Sequence, residues 1–85
     1  MAKQGEVSAY EKELVQILEE SLQREKQTQE YYRKAAEKAG INPETKAMFE
    51  LLAEEEAAHV EMIQGRLTEN RRRLAALEWT HLGIK

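Results

Sequence analysis

Residues 38 to 43 read Lys38-Ala39-Gly40-Ile41-Asn42-Pro43, and these six residues decide how the rest of the chain is arranged. Gly40 suits the left-handed residue that ends a helix. Asn42 followed by Pro43 suits an N-cap with proline at the first helical position, so a second helix is expected to begin at once. Before this point no proline occurs, and no glycine after Gly5. Ser8 and Glu11 stand in the capping-box relation, so a first helix is predicted from about residue 9 to 39. The second is predicted from about 43 to 78, passing through Gly65, which costs about 1 kcal/mol relative to alanine. Residues 1–7 are then a flexible N-terminus and 79–85 a C-terminal tail. At about 1.5 Å per residue each helix is roughly 45 to 55 Å long, and so short a connection makes them antiparallel neighbours. The expected fold class is all-α: a two-helix hairpin that pairs with a second chain into a four-helix bundle.

Composition narrows what such a hairpin can do. With 85 residues the chain is one domain at most, and a domain of this size buries only about 60 to 70 per cent of its unfolded surface, so a partner is expected. Thirteen Lys and Arg face sixteen acidic residues, all of them glutamate, for a net charge of -3. That balance argues against nucleic-acid binding. The one basic run, Arg71-Arg72-Arg73, is flanked by Glu69 and Glu78 and reads as solvated surface. Without cysteine there are no disulfides, thiolate zinc sites or iron-sulfur centres, so any metal must be held by oxygen and imidazole. No apolar run approaches the roughly 18 residues of a membrane span, and Met1 to Val7 lacks a signal-peptide core, so a cytoplasmic location is expected.

Each helix carries a seam with a polar group inside it. Leu14, Leu18, Ser21, Glu25, Thr28, Tyr32, Ala35 and Ala39 follow the helical spacing of three and four. On the second helix the stripe is Phe49, Leu52, Glu56, His59, Ile63 and Leu67, with Leu74 and Leu77 beyond. A carboxylate at a core position needs a hydrogen-bonding partner or a metal, because leaving it unpaired costs several kcal/mol. If the turn is centred between Gly40 and Ile41, Glu25 lies 15 positions before Gly40 and Glu56 lies 15 after Ile41, so the two come level. His59 stands one turn from Glu56 on the same face. One hairpin thus offers Glu25, Glu56 and His59, and a two-fold partner doubles the set to four Glu and two His. That is the inventory of a carboxylate-bridged di-iron or di-manganese site in a helical bundle. Carboxylates bridge ions and imidazole suits iron and manganese, leaving room for dioxygen or peroxide. Glu54 and Glu55 lie off the seam and read as solvated; Glu20, Glu30 and Glu61 are near in sequence and read mainly as exposed. His81 reads as a packing or surface residue, and Tyr31 as interface or surface. A metal-free hairpin whose buried Glu and His fix partner register stands as the alternative.

Over about residues 14 to 67 the chain resembles the ferritin-like superfamily, in its rubrerythrin and encapsulated-ferritin branch. The resemblance is carried by Glu25 followed by Tyr31-Tyr32, by the segment Tyr32-Arg33-Lys34-Ala35-Ala36-Glu37-Lys38-Ala39, and by Leu52-Ala53-Glu54-Glu55-Glu56-Ala57-Ala58-His59. Those relatives typically carry two helix pairs in one chain; this chain resembles the half-size type. The resemblance implies a site across a homodimer, or a higher even-numbered oligomer, with Glu25, Glu56 and His59 as ligands and Tyr32 packed beside them. It implies ferroxidase activity, the oxidation of Fe(II) with dioxygen or peroxide for iron storage, with peroxide reduction as a related activity and an encapsulin shell as a partner. Arg24 and Gln27 stand where encapsulated ferritins carry acidic residues along the metal's access route, and the missing cysteines remove the electron donor of full-length rubrerythrins. The ending Leu82-Gly83-Ile84-Lys85 is similar to the core of some encapsulin-targeting tails.

Overall fold

In a computed structural model the described residues, 4–81, form two helices, α1 (Gln4–Lys38) and α2 (Pro43–His81), packed as a hairpin of 62 × 18 × 17 Å. Side chains are described from Gly5 to Trp79; the residues of the Leu82–Lys85 tail motif lie outside the described set. α1 starts earlier than the Ser8 capping box predicts. Ser8 is buried inside the helix rather than capping it, and Glu6 supplies the acidic group of the first turn. α2 runs on through Trp79 to His81, three residues past the expected end; Ala75, Ala76 and Leu77 are good helix formers and no proline or glycine interrupts them.

The turn forms where expected, by a different route at Gly40. Asn42 is the N-cap of α2: its side-chain oxygen accepts from the Thr45 backbone N–H at 3.1 Å and its carbonyl from Lys46 N–H at 2.9 Å. Gly40, however, is not left-handed. The chain leaves α1 through right-handed turns, with Gly40 N–H donating to Glu37 O at 3.2 Å and Asn42 N–H to Ala39 O at 2.8 Å. What glycine provides is room, because a Cβ at position 40 would sit 3.3 Å from Glu37 O.

The level pairing across the hairpin holds along its length. Tyr32 and Phe49, each eight positions from the turn centre's flanking residue, stack with ring centroids 6.1 Å apart. The core sits farther out, where Val15, Leu22 and Leu67 are buried and Leu18, Val60, Ile63 and Leu74 pack against them. Leu67 is 1% exposed and is the best-covered side chain. On α1 the deepest line is Ser8, Glu11, Val15, Leu22 and Ala36. The expected seam from Leu14 to Ala39 lies beside that line and is half-buried throughout. A hairpin covers only the stripe facing its own second helix, so a seam aimed between that helix and a further neighbour stays partly open.

Candidate metal centre

Glu25 projects from the middle of α1 and Glu56 from the level position on α2, with His59 one turn further along. One ligand atom from each of the three lies within 4.8 Å of the others, the sole such group among the described residues. His59 Nδ1 is 3.8 Å from Glu25 Oε2 and 3.5 Å from Glu56 Oε2. The three differ in cover: the Glu56 side chain is 16% exposed, Glu25 31% and His59 51%. The cluster therefore opens outward from a buried carboxylate to a half-exposed imidazole. Glu56 Oε2 is fully buried and has no hydrogen-bond donor. A buried carboxylate oxygen without a donor costs about 1 to 3 kcal/mol or more, so the hairpin holds an uncompensated acceptor where a cation would compensate it. Two carboxylates and an imidazole form a donor set that suits iron or manganese.

The surroundings explain how the side chains are presented. Tyr32 is half-buried, stacked on Phe49 and edge-on to Tyr31, whose ring centroid is 5.7 Å away. The Tyr32–Phe49 stack spans the two helices two turns from Glu25, on the turn side of the cluster. Arg24 and Gln27 line a shallow surface depression together with Thr28, Tyr31 and Tyr32. Around the cluster the same face of the hairpin carries Tyr10, Ile17 and Tyr31 on α1, spaced in sevens and fourteens, and Met48 and Met62 on α2, all exposed.

The other carboxylates stay out of the cluster. Glu20, Glu55 and Glu61 are exposed, and Glu30 pairs with Arg33 at 3.9 Å. Glu54 lines a groove on the opposite side of the hairpin, floored by Ala36, Ala53 and Ala57. The arginine run is tied to glutamates: Arg71 to Glu19 at 3.6 Å, Arg72 to Glu69 at 3.4 Å and Arg73 to Glu11 at 3.4 Å. No described helix is long and apolar enough to cross a membrane. Missed by the sequence reading was a second buried polar group at Glu11 and Asn70. The level-pairing rule applied to Glu25 would have found it, since Glu11 is 29 positions before Gly40 and Asn70 is 29 after Ile41.

A family model, Rubrerythrin, matches residues 16–80, which covers most of the chain and all three residues of the cluster. No curated protein and no solved structure matches the chain.

Proposed function

Since the chain belongs to the rubrerythrin family, we propose that it is a di-iron ferroxidase whose site is completed by a second copy of the hairpin. The observation that carries this reading is the convergence of Glu25, Glu56 and His59 within 4.8 Å, around a buried oxygen that has no donor. Three side chains leave an iron or manganese ion short of ligands, and they lie on a face that a single hairpin does not cover. A two-fold partner brings the same three side chains to the same place, giving the four Glu and two His of a dinuclear carboxylate site.

The surface supports a second copy. The accessible area is 6628 Å², whereas a compact monomer of 9.9 kDa exposes about 5,200 Å² by the mass scaling of folded proteins. The excess, about 1,400 Å² on one chain, is more than the roughly 800 Å² that each partner contributes to a standard interface. The half-buried seam of α1 and the exposed Tyr10, Ile17, Tyr31 and Met62 around the cluster are the side chains that such an interface would cover.

In this reading Glu25 and Glu56 hold the iron by their oxygens, and His59 supplies a neutral nitrogen from the more open side. Held there, Fe(II) would be the substrate, each ion giving up one electron to dioxygen or peroxide. Burial of Glu56 keeps water from competing for its oxygen, and the Tyr32–Phe49 stack ties the helices together two turns away at the register that brings Glu25 level with it. Peroxide reduction of the full rubrerythrin type would need an electron donor from outside these 85 residues, which hold no cysteine. A metal-free reading rests on the contacts of His59 to both carboxylates, which by themselves make a polar network able to set register. The discriminating experiment is an anaerobic Fe(II) titration followed by addition of oxygen or peroxide. The wild-type chain is expected to bind and oxidise iron, and Glu56→Ala is expected to do neither while remaining helical. Equal oxidation by the two proteins would refute the proposal.

A further inference from the structure

Two heptads from the metal cluster, toward the open end of the hairpin, the same constellation recurs with different side chains. Fourteen positions before Glu25 stands Glu11; fourteen after Glu56 stands Asn70; fourteen after His59 stands Arg73. The pattern of one Glu on α1 facing Glu-x-x-His on α2 thus repeats as one Glu facing Asn-x-x-Arg, on the same hairpin register. At about 1.5 Å per residue the two levels are roughly 21 Å apart along the helices.

The carboxylate and amide of the outer level are more deeply buried than the two carboxylates of the inner one, while Arg73, 55% exposed, reaches in from the open side as His59 does at the inner level. Glu11 is 6% exposed and Asn70 5%, and Ser8, level with Arg73, is buried beside them. Arg73 Nη1 donates to Glu11 Oε1 at 3.4 Å. Glu11 Oε2 and Asn70 Oδ1 are buried acceptors that no donor reaches. At the inner level the unmet need is for a positive charge among two carboxylates and an imidazole. At the outer level that charge is built in: one carboxylate is replaced by a neutral amide, and the imidazole by a guanidinium that brings a permanent charge and five N–H donors. One of those donors reaches Glu11 Oε1, while Glu11 Oε2 and Asn70 Oδ1 receive no donor from the chain itself.

We propose that Glu11, Asn70 and Arg73 form an internally neutralised counterpart of the metal level, which takes no metal and instead latches the two helices together before any metal binds. The need for such a latch follows from the rest of the seam. Between the two levels the packing is Val15, Leu18, Leu22, Val60, Ile63 and Leu67, aliphatic side chains that fill space without specifying partners. Buried polar residues in helical seams are the groups that fix register, because a shifted pairing strands them. Asn70 and Arg73 are positioning residues in this account. They are also the residues that decide which level is metallated, with Arg73, at the position that corresponds to His59, supplying the positive charge that a cation would supply at the inner level.

Two measurements test this, one of which is independent of the proposed iron site. In chelator-treated protein at matched concentration, Arg73→Gln is expected to stay helical but to raise the unfolding equilibrium constant by at least about ten-fold, because it leaves the Glu11 carboxylate buried and unpaired. Arg73→Lys, which keeps the charge without the fork, is expected to fall between the two. If chelated Arg73→Gln is as stable as wild type, the latch is refuted even if the wild-type chain binds iron. If it is destabilised and the wild-type chain binds no metal, the latch stands and the iron site falls. The second measurement converts the outer level into the inner one. N70E/R73H is expected to bind two Mn(II) ions per chain by anaerobic titration where wild type binds one. A folded N70E/R73H that binds no more Mn(II) than wild type refutes the correspondence of the two levels. If that variant does not fold, the comparison of Arg73→Gln with Arg73→Lys still decides the latch.

Discussion

Replacing Glu56 by leucine should make the metal-free protein more stable while abolishing metal binding. The side chain is 16% exposed and its Oε2 is buried without a donor, a defect costing about 1 to 3 kcal/mol. Against this stands its 3.5 Å contact with His59, whose side chain is 51% exposed; a polar contact that open is worth less than about 1 kcal/mol whatever its charge. Leucine also adds apolar surface beside Ile63 and Val60. The balance favours Glu56→Leu by about 1 to 2 kcal/mol, and for a chain of this size 1 kcal/mol moves the melting midpoint by about 4 to 8 °C. The assay is thermal unfolding by circular dichroism in chelator and again with saturating Mn(II), at one protein concentration because assembly shifts apparent stability. The variant should melt above wild type in chelator and gain nothing from Mn(II), whereas wild type gains about 2.7 kcal/mol at a metal concentration of 100 times Kd. A chelated Glu56→Leu protein that melts below wild type would refute this reasoning. It would mean that Glu25, Glu56 and His59 form a stabilising network in their own right, as the metal-free reading requires.

Other predictions follow from the scaffold. Leu67→Ala, at a side chain 1% exposed, should cost about 2 to 5 kcal/mol in denaturant unfolding. Asn42→Ala removes the Oδ1 cap on Thr45 N–H and should cost about 0.5 to 2 kcal/mol. Gly65→Ala should stabilise by about 0.5 to 1 kcal/mol, since a Cβ there meets nothing within 4 Å. Glu54→Ala and Glu55→Ala should leave metal affinity unchanged in the same Mn(II) titration, because both side chains are exposed and neither belongs to the Glu25–Glu56–His59 group.

The hairpin and the meeting of Glu25, Glu56 and His59 were legible because each was written in short-range signals. Asn42-Pro43 starts a helix by local hydrogen bonding alone, and a tight turn converts positions in sequence into levels in space. Counting outward from the turn was therefore enough to bring Glu25 to Glu56. The conformation of Gly40 was not legible, since the same residue serves a left-handed cap and a close right-handed turn; the difference lies in one contact, with Glu37 O. Ser8 misled for a related reason. Its spacing to Glu11 matches a capping box, yet both side chains are turned into the hairpin, where Glu11 meets Arg73 from 62 positions away. The seam of α1 was placed one step from the most buried line, because spacing alone marks apolar and small residues without saying which neighbour each will face.

The central claim is that this chain supplies half of a dinuclear site. It is tested most directly by measuring metal content and molar mass together on iron-reconstituted protein, across a single sizing column. The account predicts one iron per chain in an even-numbered oligomer, with the iron lost in Glu56→Ala. One iron per chain in a monomer, or an oligomer free of iron, would contradict it.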